Sequence, residues 1–278
     1  MVVPVTLERS EQIELELLLE AIHRRYGFDF RDYAASSLRR RLSRRAAAEG
    51  VESLSELQGM LLRDPACMER LLLELSVNVT AMFRDPSFYA AFRKRVVPLL
   101  RSYPFRRIWC AGCSTGEEVV SLAILLQEEG LYEQTRIYAT DINEYALEAA
   151  ASAVVPLDRM RQYTENYIRS GGKREFSEYY VAAYDAARFN PELLGNVVFA
   201  PHNLATDQAF AEFHAVLCRN VLIYFDTALQ HRVTELFCES LRPFGVLGLG
   251  RRETIAFSPV ADRFAPLSPD ERIFRKAA

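Results

Sequence analysis

The stretch Arg107-Ile-Trp-Cys-Ala-Gly-Cys-Ser-Thr-Gly116 constrains the fold more than any other part of the chain. An apolar run of strand character passes directly into Gly112-x-x-x-Gly116, and helical periodicity begins at Glu117, lasts to about 129 and stops at Gly130. A second strand over 135–140 terminates at Asp141, and a second helix is expected over 144–151. Strand and helix alternating at this spacing predict βαβ units and a parallel sheet, which makes the domain α/β. Further strands are expected at 196–199, 213–218, 246–249 and 272–275, with a Pro243-Phe244-Gly245 turn before the third. Asp226 is expected to cap a helix reaching Leu241. Residues from about 160 to 195 fit no βα unit and read as an insertion with short strands of its own, one at 179–182.

The first ~100 residues have a different texture and read as helices. Ser10 is placed to cap the first, with Ile13, Leu15, Leu17, Leu18, Leu19 and Ile22 at helical spacing and Gly27 after its end. The second is expected over 33–48, stopping at Gly50, and the third begins at Ser53 with Leu54, Leu57, Leu61 and Leu62 inward. Asp64-Pro65 breaks it, a fourth follows over 67–76, and Asp85-Pro86 opens a fifth running to Leu100. The second helix carries the one local basic feature. At 100° per residue Arg40, Arg41, Arg44 and Arg45 share one face, and Ala35, Leu38, Leu42 and Ala46 the other. That arrangement predicts an outward cationic stripe, either a solvated face or a surface for an acidic protein partner.

The chemistry concentrates at the ends of the predicted strands. In open parallel sheets ligands lie beyond the carboxyl ends, and a carboxylate such as Asp141 at the end of the second strand is placed to accept ribose hydroxyls. The same residues also suit a ligand-free βα turn with a capping Asp. The G-x-G-x-x-G fingerprint is missing, and Glu117 and Glu118 open the helix, where they would repel a pyrophosphate. A cationic, phosphate-free adenosyl ligand fits better, so S-adenosylmethionine is favoured over a nicotinamide dinucleotide. Cys218-Arg-Asn-Val-Leu-Ile-Tyr-Phe-Asp226 leaves another strand, and its Arg219, Asn220 and Tyr224 interrupt an apolar run, which is costly unless they are paired. Either a packed loop or a site accounts for them. His202-Asn203 follows a strand in the same way.

Composition excludes several classes. A net charge of −3 and the absence of aromatics among the arginines disfavour nucleic acid. No apolar run reaches the ~18 residues a membrane span needs, and the N-terminus has no signal-peptide pattern. Five cysteines argue against a disulfide framework and for a reducing cytoplasm. Cys110-x-x-Cys113 has no second ligand pair, so no metal is expected, and no G-x-S-x-G elbow suggests hydrolase chemistry.

Five ordered motifs carry a resemblance along almost the whole length. They are Ser76-Val-Asn-Val-Thr-Ala-Met-Phe-Arg-Asp-Pro86, Trp109-Cys-Ala-Gly-Cys-Ser-Thr-Gly-Glu-Glu118, Ala139-Thr-Asp-Ile-Asn143, His202-Asn-Leu204, and Phe213 through Asp226. With them the chain resembles the CheR-type chemoreceptor glutamate methyltransferases. The resemblance implies a helical N-terminal domain over 1–83 and a Rossmann-like S-adenosylmethionine-dependent methyltransferase domain over 84–278, with a small β-subdomain inserted at roughly 160–195. It implies Asn78, Thr80, Arg84, Glu117, Asp141, Asn203, Leu204, Arg219 and Asn220 as contacts of S-adenosylmethionine and its product S-adenosylhomocysteine, with Arg84 and Tyr224 nearest the transferred methyl. The stripe Arg40, Arg41, Arg44 and Arg45 would face the cytoplasmic signalling domain of a methyl-accepting chemoreceptor, and some members also dock a tether peptide from the receptor C-terminus. A cytoplasmic protein without membrane insertion is expected, and a monomer, since the sequence carries no oligomerisation signal. Ala81-Met82, His214 and Gly250-Arg-Arg-Glu253 depart from the family pattern, and bear on the protein target more than on the cofactor. Two other readings stay open: a methyltransferase of the same fold with another acceptor, and a non-catalytic module that binds the adenosyl ligand and docks a receptor.

Overall fold

The computed structural model describes residues 7–75 and 80–278. Among the described residues two compact units emerge, one of 7–75 with 224–230 and one of 80–223 with 231–278.

The first unit is helical. α1 spans Leu7–Tyr26, α2 Ala35–Glu49, α3 Leu54–Arg63 and α4 Pro65–Leu75. Ser53 caps α3 by accepting from the Glu56 amide at 3.2 Å, and Gly50 ends α2 in a left-handed turn at φ +74°. Leu15, Leu18, Leu19 and Ile22 of α1 are buried with Leu57 and Leu61 of α3, and each such leucine contributes roughly 1.5–3 kcal/mol. Three expectations fail here. Ser10 lies inside α1 rather than at its cap, since the helix begins at Leu7. Leu62, expected inward, is exposed, as are Ile13 and Leu17, because each helix needs only one stripe inward. The segment Tyr224–Gln230 joins this unit: the Tyr224 carbonyl accepts from Ala34 N at 2.9 Å, and Asp226 N donates to the Asp32 carbonyl at 2.9 Å.

The second unit is built on a seven-stranded sheet. Its strands are β1 (Arg106–Ala111), β2 (Thr135–Asp141), β6 (Val197–Pro201), β7 (Phe213–Cys218), β8 (Leu241–Leu249), β9 (Phe264–Ser268) and β10 (Ile273–Lys276). The order is β6-β2-β1-β7-β8-β10-β9, parallel through β8, with β10 antiparallel to both neighbours. The chain steps outward from β1 to β2 and β6 on one side, and through β7 and β8 on the other. The switch point therefore lies between β1 and β7, where the carboxyl ends open a crevice. α7 (Glu117–Glu128) and α8 (Glu144–Ser152) follow β1 and β2, and α10 (Thr227–Ser240) precedes β8.

The sequence reading differs from this sheet in two places. The Pro243-Phe244-Gly245 turn is a bulge inside β8, not a boundary before it: Leu241 pairs with Phe213 and Val246 with Ala215, so the extra residues loop out. β9 was not expected at all, since Phe264-Ala-Pro-Leu-Ser is short and contains a proline, which suits only an edge strand.

The helix expected over 86–100 is α5 (Pro86–Ala91), a π-helical turn at Phe92–Val96, and α6 (Val97–Leu100). Pro98 cannot donate to the ladder, and the wider turn precedes it. A separate antiparallel sheet, β3-β5-β4, is formed by Val154–Pro156, Ala186–Phe189 and Tyr180–Ala183. Between β3 and β4 lies α9 (Met160–Arg169), an amphipathic helix with Met160, Tyr163 and Tyr167 inward. Among the described residues no helix is long and apolar enough to cross a membrane.

Candidate active site

Two loops leave the sheet on either side of the switch point. The first follows β1. The Gly112 and Cys113 amides both donate to the Thr140 carbonyl, at 2.8 and 2.9 Å, which folds the turn onto β2. The Asp141 carboxylate then accepts from the Ser114 amide at 2.8 Å and the Asn143 amide at 3.0 Å. Both glycines are required, but by the protein itself. Gly112 and Gly116 have φ of +73° and +89°; a Cβ would lie 2.5 Å from Val221 at the first and 2.7 Å from Ala150 Cβ at the second. Burial lifts the Asp141 pKa, and the amides of Asn143, Ser114 and Ile142 partly offset it.

The second loop follows β7 and is held from the turn after β8. Glu253 is 3% exposed, and its carboxylate accepts four backbone amides: Asn220 at 3.0 Å, Val221 at 2.8 Å, Ile223 at 3.4 Å and Gly250 at 2.6 Å. Asn220 sits in the left-handed region at φ +62°. Its Oδ1 is buried and, among the described residues, has no hydrogen-bond partner.

Arg219 is buried; its two terminal nitrogens are paired within the protein, while Nε has no hydrogen-bond partner among the described residues. Its guanidinium donates to Asp85 at 2.9 Å, to Glu118 at 3.3 Å and to the Arg84 carbonyl at 2.9 Å, and lies 4.1 Å above the Phe88 ring. It thereby braces a turn in which Phe83 and Asp85 both have positive φ. The Phe83 amide donates to Ser121 at 2.9 Å, and Asn166 Nδ2 to the Met82 carbonyl at 3.0 Å, so α7 and α9 fix the backbone that presents Arg84. Arg84 itself is half-buried. Burial raises the Glu118 pKa against the opposing pull of Arg219.

Glu117 is buried beside Thr115 Oγ1 at 2.7 Å and Tyr163 OH at 3.4 Å. Asn203 is half-buried; its Oδ1 accepts from Ala205 N at 3.0 Å and closes the loop after β6, where Leu204 is buried. Thr80 is half-buried, and Asn78 lies outside the described residues. The structure thus gathers Asp141, Glu117, Arg219 and Asn220 about the β1 and β7 ends.

In the helical unit the predicted stripe is divided. Arg40 and Arg44 are exposed, the latter paired with Glu74 at 3.0 Å. Arg45 pairs with Glu49 at 3.3 Å with little exposure. Arg41 does not face outward: it is buried, donates to the Leu75 carbonyl, and stacks 4.7 Å from the Tyr224 ring centroid. Positions 38, 41, 42, 45 and 46 form one i, i+3, i+4 stripe, so Arg41 and Arg45 border the inward face, while Ala35 is exposed.

Sequence reasoning did not connect Glu253 to the β7 loop, Glu118 and Asp85 to Arg219, or Tyr163 to Glu117. Glu253 is 33 residues from Asn220, so no local spacing links the two.

Comparison with known proteins agrees with this geometry. Residues 78–270 match the CheR methyltransferase, SAM binding domain, and residues 13–76 the CheR methyltransferase, all-alpha domain. A protein of Pseudomonas putida provisionally named methyltransferase Cher3 is 50% identical over 98% of this chain and 100% of its own length. Chemotaxis protein methyltransferase 2 of Pseudomonas aeruginosa is 32% identical over 86% of each chain. The chemotaxis protein methyltransferase of Escherichia coli is 29% identical over 88% of this chain and 85% of its own. The chain belongs to the CheR methyltransferase family. It is an S-adenosylmethionine-dependent methyltransferase of the chemotaxis type. The residues present fit that cofactor: the buried, unpartnered Asn220 Oδ1 is an acceptor awaiting a donor, Asp141 is a further acceptor, and Glu117 suits a cation.

Proposed function

We propose that the protein methylates glutamate side chains in the cytoplasmic signalling domain of methyl-accepting chemoreceptors, as a cytoplasmic monomer. The observation that carries this reading is the pair of loops at the switch point, with Asp141 and the orphaned Asn220 Oδ1 at their ends. S-Adenosylmethionine, when bound, supplies an electrophilic methyl group on a positively charged sulfur. Thr80, Glu117, Asp141, Asn203, Leu204 and Asn220 hold it, and Asn78 is assigned with them on the family motif.

The acceptor carboxylate has an ordinary pKa near ~4.3 and is ionised at neutral pH, so the protein needs no general base. Its task is orientation and the exclusion of water from a weak, well-hydrated nucleophile. Arg84 orients the acceptor carboxylate, on a backbone that Arg219 braces through the Arg84 carbonyl. Tyr224 enters the proposal on the family motif, and its ring lies against Arg41. Exposed Arg40 and Arg44 meet the acidic receptor surface, and Arg45 flanks them. Arg41 supports this helix from within. The β3-β5-β4 sheet offers β4 as an edge, with Val181 and Tyr184 exposed, for a tether peptide in receptors that carry one.

The test is transfer of labelled methyl to a purified receptor signalling fragment. Base-labile incorporation, released as methanol, is expected, with turnover reduced by about 100-fold or more in Arg84→Ala. Base-stable label would point to a nitrogen acceptor, and no incorporation by a binding-competent protein to a docking module.

A further inference from the structure

The geometry assigns Glu253 as the positioning residue of the adenosyl site: its buried carboxylate clasps the Arg219–Ile223 backbone so that Asn220 presents its side chain to the ligand. This rests on the reading that Asn220 contacts S-adenosylmethionine. An ionised carboxylate has about four acceptor positions. Here Oε1 takes the amides of Val221 and Ile223, and Oε2 those of Asn220 and Gly250. Glu253 has no capacity left for a ligand, so it acts through the loop.

The clasp is built at both ends. The Glu253 amide donates back to the Gly250 carbonyl at 2.9 Å, closing a turn that aims the side chain at the β7 loop. A Cβ at Gly250 would lie 2.8 Å from Asn220 N, 3.0 Å from Asn220 Nδ2 and 2.7 Å from Glu253 Oε2, so only glycine leaves room. Asn220 has a left-handed φ of +62°, a conformation asparagine tolerates better than most non-glycine residues, and the clasp fixes the backbone there. Its buried, unpartnered Oδ1 depends on that backbone angle for its direction.

Glu253→Gln tests the assignment with almost no change of shape. A carboxamide has one oxygen, so in either orientation two of the four amides face a donor instead of an acceptor. In ligand-free protein, hydrogen exchange at the amides of Asn220, Val221 and Ile223 should quicken by about tenfold or more in the variant. Calorimetric affinity for S-adenosylhomocysteine should weaken by about tenfold or more. Val246→Ala, a core truncation in β8, should lower the melting temperature and leave that affinity within about twofold. If Glu253→Gln does not fold, Gly250→Ala presses on the same Asn220 atoms and should show the same loss. A folded Glu253→Gln with wild-type exchange and affinity, beside an Asn220→Ala that binds weakly, overturns the assignment. Wild-type affinity in Asn220→Ala removes its premise instead, and so separates the two failures.

Discussion

The loops after β1 and β7 solve one problem by two routes. Each leaves the carboxyl end of a strand at the switch point, each contains residues at positive φ, and each hangs its amides on a buried carboxylate. The β1 loop gets its carboxylate from the end of the adjacent strand, Asp141, within 27 residues of Ser114. The β7 loop gets its carboxylate from a turn beyond the next strand, Glu253. Asp141 accepts from the amides of Ser114, Asn143 and Ile142 and is proposed to meet the ligand as well, whereas Glu253 accepts four amides. Two buried acids in similar surroundings are thus proposed to serve differently, Asp141 at the ligand and Glu253 through the loop it holds.

The largest effect on this comparison should come from joining the loops by force. Gly112→Ala puts a methyl against Val221 of the other loop at φ +73°. Backbone strain and overpacking together should cost about 2–4 kcal/mol in denaturant unfolding. A near-neutral result would mean that the two loops are not tightly packed.

The same distinction between inward and outward charge recurs along α2. Arg41→Ala removes a buried donor to the Leu75 carbonyl and a partner of the Tyr224 ring, and should destabilise by about 1–3 kcal/mol. Arg40→Ala should change unfolding by no more than about 0.5 kcal/mol while weakening receptor binding. Equal unfolding effects would erase the contrast.

The smallest effect is a titration. Burial raises the folded pKa of Asp141 above 3.8 and of Glu253 above 4.5, with backbone amides opposing in both. The folded state therefore holds these protons more tightly than the unfolded one. Their contribution is greatest below the ordinary values and is lost as pH rises through the raised folded ones. As pH rises above the ordinary carboxylate values, the ligand-free wild type should lose stability relative to Asp141→Asn and Glu253→Gln. A relative gain would show that the amides outweigh burial.

The asymmetry between the loops also explains what was legible in the sequence. Strand, glycine turn, helix and Asp141 lie close together, so local periodicity and spacing exposed the α/β sheet and its first loop. Arg219 and Asn220 stood out as polar residues in an apolar run, but their partners did not. Asp85 and Glu118 are 134 and 101 residues from Arg219, and only the fold joins them. α9 was missed because its inward face is Met160, Tyr163 and Tyr167 in a stretch otherwise polar. Arg41 was placed outward because a helical wheel assigns faces by residue type, and a long cation can lie at the border and turn in.

The most direct test of the account is calorimetric titration of the wild type and Asp141→Ala with S-adenosylhomocysteine. Saturable binding to one site in the wild type, weakened by about 100-fold or lost in a folded Asp141→Ala, is the predicted result. A folded wild type that does not bind, or a variant that binds equally well, would contradict an adenosyl site at the β1 and β7 ends.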